Sequence, residues 1–241
     1  SCAPIVDPTR PTTNKNTIVA GGYNLLKVDT LDNRSISEKI LKVLCEQIRD
    51  VEADIVVFSD FRHGIFNRDT IPTLISAIPK NVFRVADSQV ASRWGNILEF
   101  KGFDLITPNE REARFALGDQ DSVVRPLGLE LYRQSEAKIL MLKLSERGMM
   151  TFRSLPKTDE DVRGFFVLDS FADHVVDAVG SGDALLAYAT LSLFATGNAL
   201  IASVLGSISA AVECGHKGNI PVYPKDVTEK LMRLDRLAHY R

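Results

Sequence analysis

Cysteine is scarce in this chain: 241 residues hold three, Cys2, Cys45 and Cys214, with no C-x-x-C pair and no metal-ligand pattern around them. An odd, scattered set cannot make a disulfide framework, so the thiols read as reduced and the protein as cytoplasmic. An excess of charge of one sign is also missing. Lys and Arg number 29 against 31 Asp and Glu, a formal net charge of −2, which gives no footprint for nucleic acid and no pull toward a membrane surface. No apolar run approaches the ~20 residues that cross a bilayer, and the opening residues carry no basic-then-apolar leader. Met at position 1 is absent too: "SCAPIVDPTRPTTNK" reads as interior sequence, so the expectation is a chain continued upstream in a longer gene product. Linkers, repeats and low-complexity tracts are not visible. A hydrophobic content of 45% then supports one core, and one domain over 1–241 is expected.

What is present is an alternation. Apolar, β-branched runs predict strands at Thr17–Ala20, Asp54–Phe58, Val82–Ala86, Asp104–Thr107, Lys138–Leu142, Met149–Phe152, Phe165–Leu168 and His174–Val176. Helical stretches lie between them. Ser35 with Glu38 makes a capping box ahead of "KILKVLCEQI", Asn67 can cap 69–78, and Asn109 can cap 110–117 with Gly118 as the stop. Further on, helices are expected over 184–195, 199–213 and 225–239. Strands alternating with helices indicate an α/β fold with a largely parallel sheet.

In such sheets ligands bind beyond the carboxyl ends of the strands, where helix N-termini point. "VVDAVGSGDALLAY" (175–188) sits at such a place. Gly180 and Gly182 let the backbone approach a ligand, and the N–H groups of Gly180, Ser181 and Gly182 can hold an anion at a helix start. A carboxylate, Asp183, directly behind them would repel a phosphate that was merely bound. It makes sense as a base that takes the proton from a hydroxyl attacking a phosphoryl group. The plainer alternative is a tight turn followed by an acidic residue in a helix's first turn, favourable with the dipole.

The D-x-x-G-x-G-D pattern, Asp177 to Asp183, resembles the C-terminal signature of the PfkB (ribokinase-like) carbohydrate kinases. "TPNEREA" (107–113) is similar to the family's N-x-x-E motif. On that resemblance Asn109 lies near the nucleotide phosphates and Glu112 near Mg²⁺, through water; read alone, the pair is an N-cap and a first-turn acid. "LKLSERGMM" (142–150) resembles the strand–loop–strand around the nucleotide, which implies nucleotide contacts for Lys143, Ser145, Glu146 and Gly148; its alternative is an ordinary hairpin. "GHKGNIPVYP" (215–224) resembles the loop bordering adenine and a monovalent cation, with Asp177 as a possible cation ligand and Ser207 where an Asn often borders adenine. The resemblance implies a ribokinase-like three-layer α/β/α fold, ATP and Mg²⁺, in many members a monovalent cation such as K⁺, and a small sugar or sugar phosphate as acceptor. It also implies lid strands within 10–30, through which relatives commonly form homodimers.

Taken together, "RPTTNKNTIVAGGYNLLKVD" (10–29), "VVFSDFRHGIF" (56–66), "DLITPNEREA" and "LSERGM" look most like the sugar kinase domain of bifunctional ADP-heptose synthases. That implies phosphorylation at O1 of D-glycero-D-manno-heptose 7-phosphate, and a chain fused to a nucleotidyltransferase domain. Asp60 falls where the family places a carboxylate for sugar hydroxyls, or it caps the turn after a buried strand. The chain also departs from the family. The N-terminal G-G plus Asn signature is missing, since "AGGYNLL" only imitates it, so the first strands are expected to be absent. Lysines of the relatives near His63 and Gln89 are lost, with Arg62 and Arg93 as substitutes, and Lys143 stands where a Thr is usual. Kinases for another sugar, an aldonate or a nucleoside, and a non-catalytic scaffold relative, stay open. Trp94, His174, His216 and Cys214 read as packing, loop and helix residues.

Overall fold

The computed structural model describes residues 2–21, 23–89, 97–155 and 162–239. Arg93 and Trp94 lie outside them. The N-terminal strands β1 (Asn14–Ala20) and β2 (Tyr23–Thr30) form an antiparallel hairpin apart from the main sheet, within the segment expected to hold lid strands. The main sheet runs in unbroken sequence order: β3 (Ile55–Asp60), β4 (Phe83–Ser88), β5 (Leu105–Ile106), β6 (Ile139–Lys143), β7 (Met149–Phe152) and β8 (Phe165–Leu168). Strands β3 to β6 are parallel, whereas β7 and β8 return antiparallel. The sheet is therefore mixed, and the parallel half is the half that carries the ligand-facing strand ends.

Strand alternation sorts the core into two layers. On one face Phe58, Ala86, Ile106, Leu140 and Phe152 pack with α1 (Glu38–Asp50), α2 (Thr70–Ala77), α3 (Glu110–Leu117) and α4 (Val124–Ser135). On the other face Val85, Leu105, Met141 and Met149 meet α5 (Ser181–Thr196) and α6 (Ala199–Cys214). The last helix, α7 (Pro224–His239), packs on α6. This is the expected three-layer α/β/α arrangement. β3 forms one edge of the sheet, with Val57 exposed beside it.

Several local expectations are corrected. Ser37, not Ser35, caps α1, its Oγ accepting from the Ile40 N–H at 3.3 Å, while Ser35 Oγ accepts from Asn67 Nδ2. The predicted strand at 174–176 is irregular: Val175 and Val176 are exposed, and the Val176 N–H donates to the Cys214 carbonyl. Among the described residues no strand pairs with it, so alternation there has nothing to bury. α5 starts at Ser181, three residues before the expected position, which places Asp183 inside its first turn. α4 was not expected at all. Its Pro126 sits in the first turn, where its missing N–H costs nothing. Gly128 is required by packing, because a Cβ there would lie 2.6 Å from the Phe152 ring.

Candidate functional site

Neighbouring parallel strands deliver their last residues to one end of the sheet. Asp87 is the penultimate residue of β4, Thr107 follows β5 and Lys143 closes β6. Facing them, Gly180 to Asp183 turn into α5, and between the two sides lies a cleft of about 910 Å³. The hairpin reaches it through Lys15, whose ammonium also lies 5.4 Å over the Phe61 ring. Thr13 and Arg10 tie the hairpin to the body, at His63 and at the Ser35 and His63 carbonyls.

The turn before α5 depends on one glycine more than the other. Gly180 has φ +88°, and a Cβ on it would sit 2.5 Å from Asn219 Oδ1 and 2.6 Å from Glu213 Oε1. Gly182 has no such backbone, and its Cβ would meet only Lys143 Nζ, at 3.5 Å. Ser181 directs both its hydroxyl (2.8 Å) and its N–H (3.3 Å) to the Ala178 carbonyl, so its amide is partly committed. The N–H groups of the next residues belong to the first helical turn, which has no intrahelical acceptors for them.

Asp183 is half-buried at the mouth of this turn. Burial pushes its carboxyl above the usual range, the Asp87 charge raises it further, and Lys143 and Lys15 pull it down. Glu213, almost fully buried behind Gly180, adds to the upward push. A carboxyl so tuned holds protons more tightly than a solvent-exposed aspartate, as a general base needs.

Asn109 and Glu112 make a reciprocal capping box. The Asn109 N–H donates to Glu112 Oε2 at 2.7 Å, and the Glu112 N–H donates to Asn109 Oδ1 at 2.9 Å. Both residues line the cleft. The capping alternative is thus realised in geometry, and it fixes the direction of the carboxylate. Ser145, Glu146, Gly148 and Ser207 line the same cleft. Gly148 (φ +83°) is required, since a Cβ would fall 2.0 Å from the Leu168 carbonyl oxygen. Asp177 stands at the rim, accepting from the Val179 N–H at 3.1 Å and the Gly218 N–H at 3.3 Å. The Val179 bond foremost holds its carboxyl below the ordinary range.

Asp60 lies apart from the cleft lining. It is 2% exposed and bound to Arg62, whose Nε is 3.0 Å from Oδ2 and whose N–H donates to Oδ1 at 2.7 Å; Ser88 Oγ completes the set. Arg62 takes a left-handed backbone (φ +62°) to reach it. Both are thereby spent on each other. Arg62, the expected substitute for a lost lysine, is nearly buried in that pair. Residues that sequence reasoning missed are Asp87, Thr107, Lys15, Glu213 and Asn219. Asp87 and Thr107 arrive through strand register, and Glu213 through the docking of α6, so no local motif signals them. Among the described residues, no group of three or more His, Cys, Asp or Glu forms a metal cluster, and no helix is long and apolar enough to cross a membrane.

Known proteins resemble this chain in sequence and in fold. Bifunctional protein HldE from Nitratiruptor sp. is 27% identical over 234 residues, covering 93% of this chain and 46% of the relative. HldE from Helicobacter hepaticus is 27% identical over 221 residues, covering 89% and 43%. The chain therefore spans about half the length of the curated relatives it matches. Among solved structures, phosphofructokinase-2 from Escherichia coli in complex with substrates and products has a TM-score of 0.71 at 16% identity, over 92% of this chain and 70% of that one. Ribokinase from Giardia lamblia gives 0.69 at 17%, over 93% and 72%. These likenesses carry the fold. Residues 5–226, which include every strand and the glycine turn, match the description "pfkB family carbohydrate kinase", and the chain belongs to that family.

Proposed function

We propose that this chain is an ATP-dependent sugar kinase, acting as one domain over 1–241. The observation that carries the reading is Asp183, half-buried beside the Gly180–Gly182 turn in a cleft that Lys143 and Lys15 also line. The acceptor hydroxyl would give its proton to the Asp183 carboxylate as its oxygen bonds to the γ-phosphorus. The bond from that phosphorus to the bridging oxygen breaks, and its electron pair leaves with ADP. First-turn N–H groups of α5 would take the charge spread over the phosphoryl oxygens. Asn109, Ser145, Glu146, Gly148 and Ser207 would hold the nucleotide along the cleft wall. Mg²⁺ carried with the nucleotide would neutralise phosphate charge, and Glu112 fits it through water, because its carboxylate is already aimed by the Asn109 amide. Asp177, kept ionised at the rim, fits a monovalent cation such as K⁺.

The motifs that resemble the ADP-heptose synthases support O1 of D-glycero-D-manno-heptose 7-phosphate as the acceptor site and a nucleotidyltransferase fused to this chain in the full-length protein; the bifunctional HldE relatives, of which the chain spans about half, agree with a fusion. Another sugar, an aldonate or a nucleoside would use the same base. A second reading, a non-catalytic scaffold, draws on Asp60: locked by Arg62, it is not free for sugar hydroxyls. The test is ADP release by the chain with ATP·Mg²⁺ and, in turn, heptose 7-phosphate, fructose 6-phosphate, ribose, 2-keto-3-deoxygluconate and adenosine. Acceptor-dependent release supports the kinase and names its substrate. ATP binding without release on any acceptor supports the scaffold.

A further inference from the structure

The family resemblance implies a nucleotide contact for Lys143 but gives it no part in the transfer step. Lys143 is nearly buried, its side chain 16% exposed, and its ammonium lies 3.1 Å from Oδ1 of Asp87, which is 8% exposed. The same oxygen accepts from Thr107 Oγ1 at 2.9 Å, and Thr107 is fully buried. Asp87, Thr107 and Lys143 come from three adjacent parallel strands whose register (Ala86 opposite Ile106, Ile106 opposite Leu140) brings their ends together. The other side of the ammonium faces the glycine turn, 3.5 Å from where a Cβ of Gly182 would be. A salt bridge buried this deeply gains little for stability by itself, because desolvation of both charges offsets their attraction. An ammonium has three donors. One goes to Asp87, and the ammonium borders both the cleft and the first turn of α5.

We propose that Lys143, aimed by Asp87 and Thr107, is a catalytic residue that contacts the γ-phosphoryl group in transfer, and that Asp87 is its positioning residue. The proposal rests on the kinase reading. In it the hydroxyl proton still goes to Asp183 and the electron pair still leaves with ADP; Lys143 only donates hydrogen bonds to phosphoryl oxygens and gives up no proton. The charged groups facing Asp183 are Asp87 from β4, Lys143 from β6, Lys15 from β1 and Glu213 from α6, so the two members of this pair act on the base with opposite sign.

The test uses Lys143→Met, which keeps length and removes charge, and Asp87→Asn, both in the full chain. Calorimetry with ATP and with ADP reads the contact without turnover. Lys143→Met should weaken ATP by about 10-fold or more, as loss of a charged hydrogen bond does, while ADP affinity stays nearly unchanged. Turnover at saturating ATP should fall by about 10²–10³, as when a preorganised donor is removed. The acid limb of the pH–rate profile should move up for Lys143→Met and down for Asp87→Asn. Equal losses for ATP and ADP, or a lowered melting temperature with both affinities and the pH limbs unmoved, would overturn the proposal and leave a structural salt bridge. Asp183→Asn separates the two claims. If it abolishes turnover while Lys143→Met does not, only this proposal fails; if it leaves turnover intact, the kinase mechanism beneath it fails.

Discussion

Asp183 is asked to hold a charge where the fold disfavours one. Its carboxyl is raised by burial first and by Asp87 second. For an acid whose folded-state pKa is raised, the contribution to stability is present at low pH and lost as pH climbs from the ordinary carboxylate range through the raised value. Asp183→Asn should therefore melt higher than the wild type at pH 7, with the gap closing as the pH falls below that window. Thermal scans across pH read this directly, and a variant that melts lower at pH 7 would mean the carboxylate is structural. The glycines divide in the same way. Gly180→Ala meets positive φ and two side-chain oxygens, and should cost about 1–3 kcal/mol in denaturant unfolding. Gly182→Ala meets only the end of Lys143 and should lie within about 1 kcal/mol of wild type, since Ala suits a helical turn better than Gly. From sequence the two looked equivalent; the backbone angle and the space around each separate them.

At the scale of elements, a capping box and a metal-binding pair are the same two side chains put to two uses. Asn109→Ala removes the cap of α3 and should destabilise by about 1 kcal/mol. Glu112→Gln keeps an oxygen for the Asn109 N–H, so its melting temperature should stay near wild type while the Mg²⁺ concentration needed for half-maximal turnover rises. Normal Mg²⁺ dependence in Glu112→Gln would reduce the motif to its cap. This element was legible in the sequence because its chemistry is contiguous: Asn109, Glu112 and Gly118 are a start, a box and a stop within ten residues. The Gly180–Asp183 turn was legible for the same reason. Asp87 was not, because its meaning comes from Lys143, 56 residues away, through two strand pairings. α4 was not expected from the sequence; it accepts Pro126 because of its place in the first turn and requires Gly128 because of Phe152 overhead. Asp60 was legible as a sugar ligand or as a cap of the turn after a buried strand; the structure shows the cap, and nothing in "SDFRHG" says that Arg62 will turn left-handed to bind it.

At the scale of the whole molecule, an α/β fold with a largely parallel sheet followed from the alternation of strand and helix signals, whereas the sheet order, the antiparallel return of β7 and β8 and the two faces of the hairpin did not. In the hairpin, Lys15 and Thr17 lie across from Asp29 and Lys27, and Lys15 reaches the cleft; Ile18 faces Leu26 on the opposite side, next to Val28, all exposed. An apolar patch on a two-stranded ribbon marks an interaction site, and pairing of two hairpins in a homodimer would cover it. Sedimentation velocity should then show concentration-dependent association that Ile18→Lys abolishes; a wild-type chain that stays monomeric throughout would refute the pairing. The central claim, that the turn and its aspartate perform phosphoryl transfer, is tested most directly by the turnover of Asp183→Asn. With saturating ATP·Mg²⁺ and the best acceptor found, ADP release should fall by about 10²–10⁴, the usual contribution of a positioned general base, while calorimetry shows ATP still bound. Near-normal release by this variant would contradict the account and reduce Asp183 to a helix-start acid.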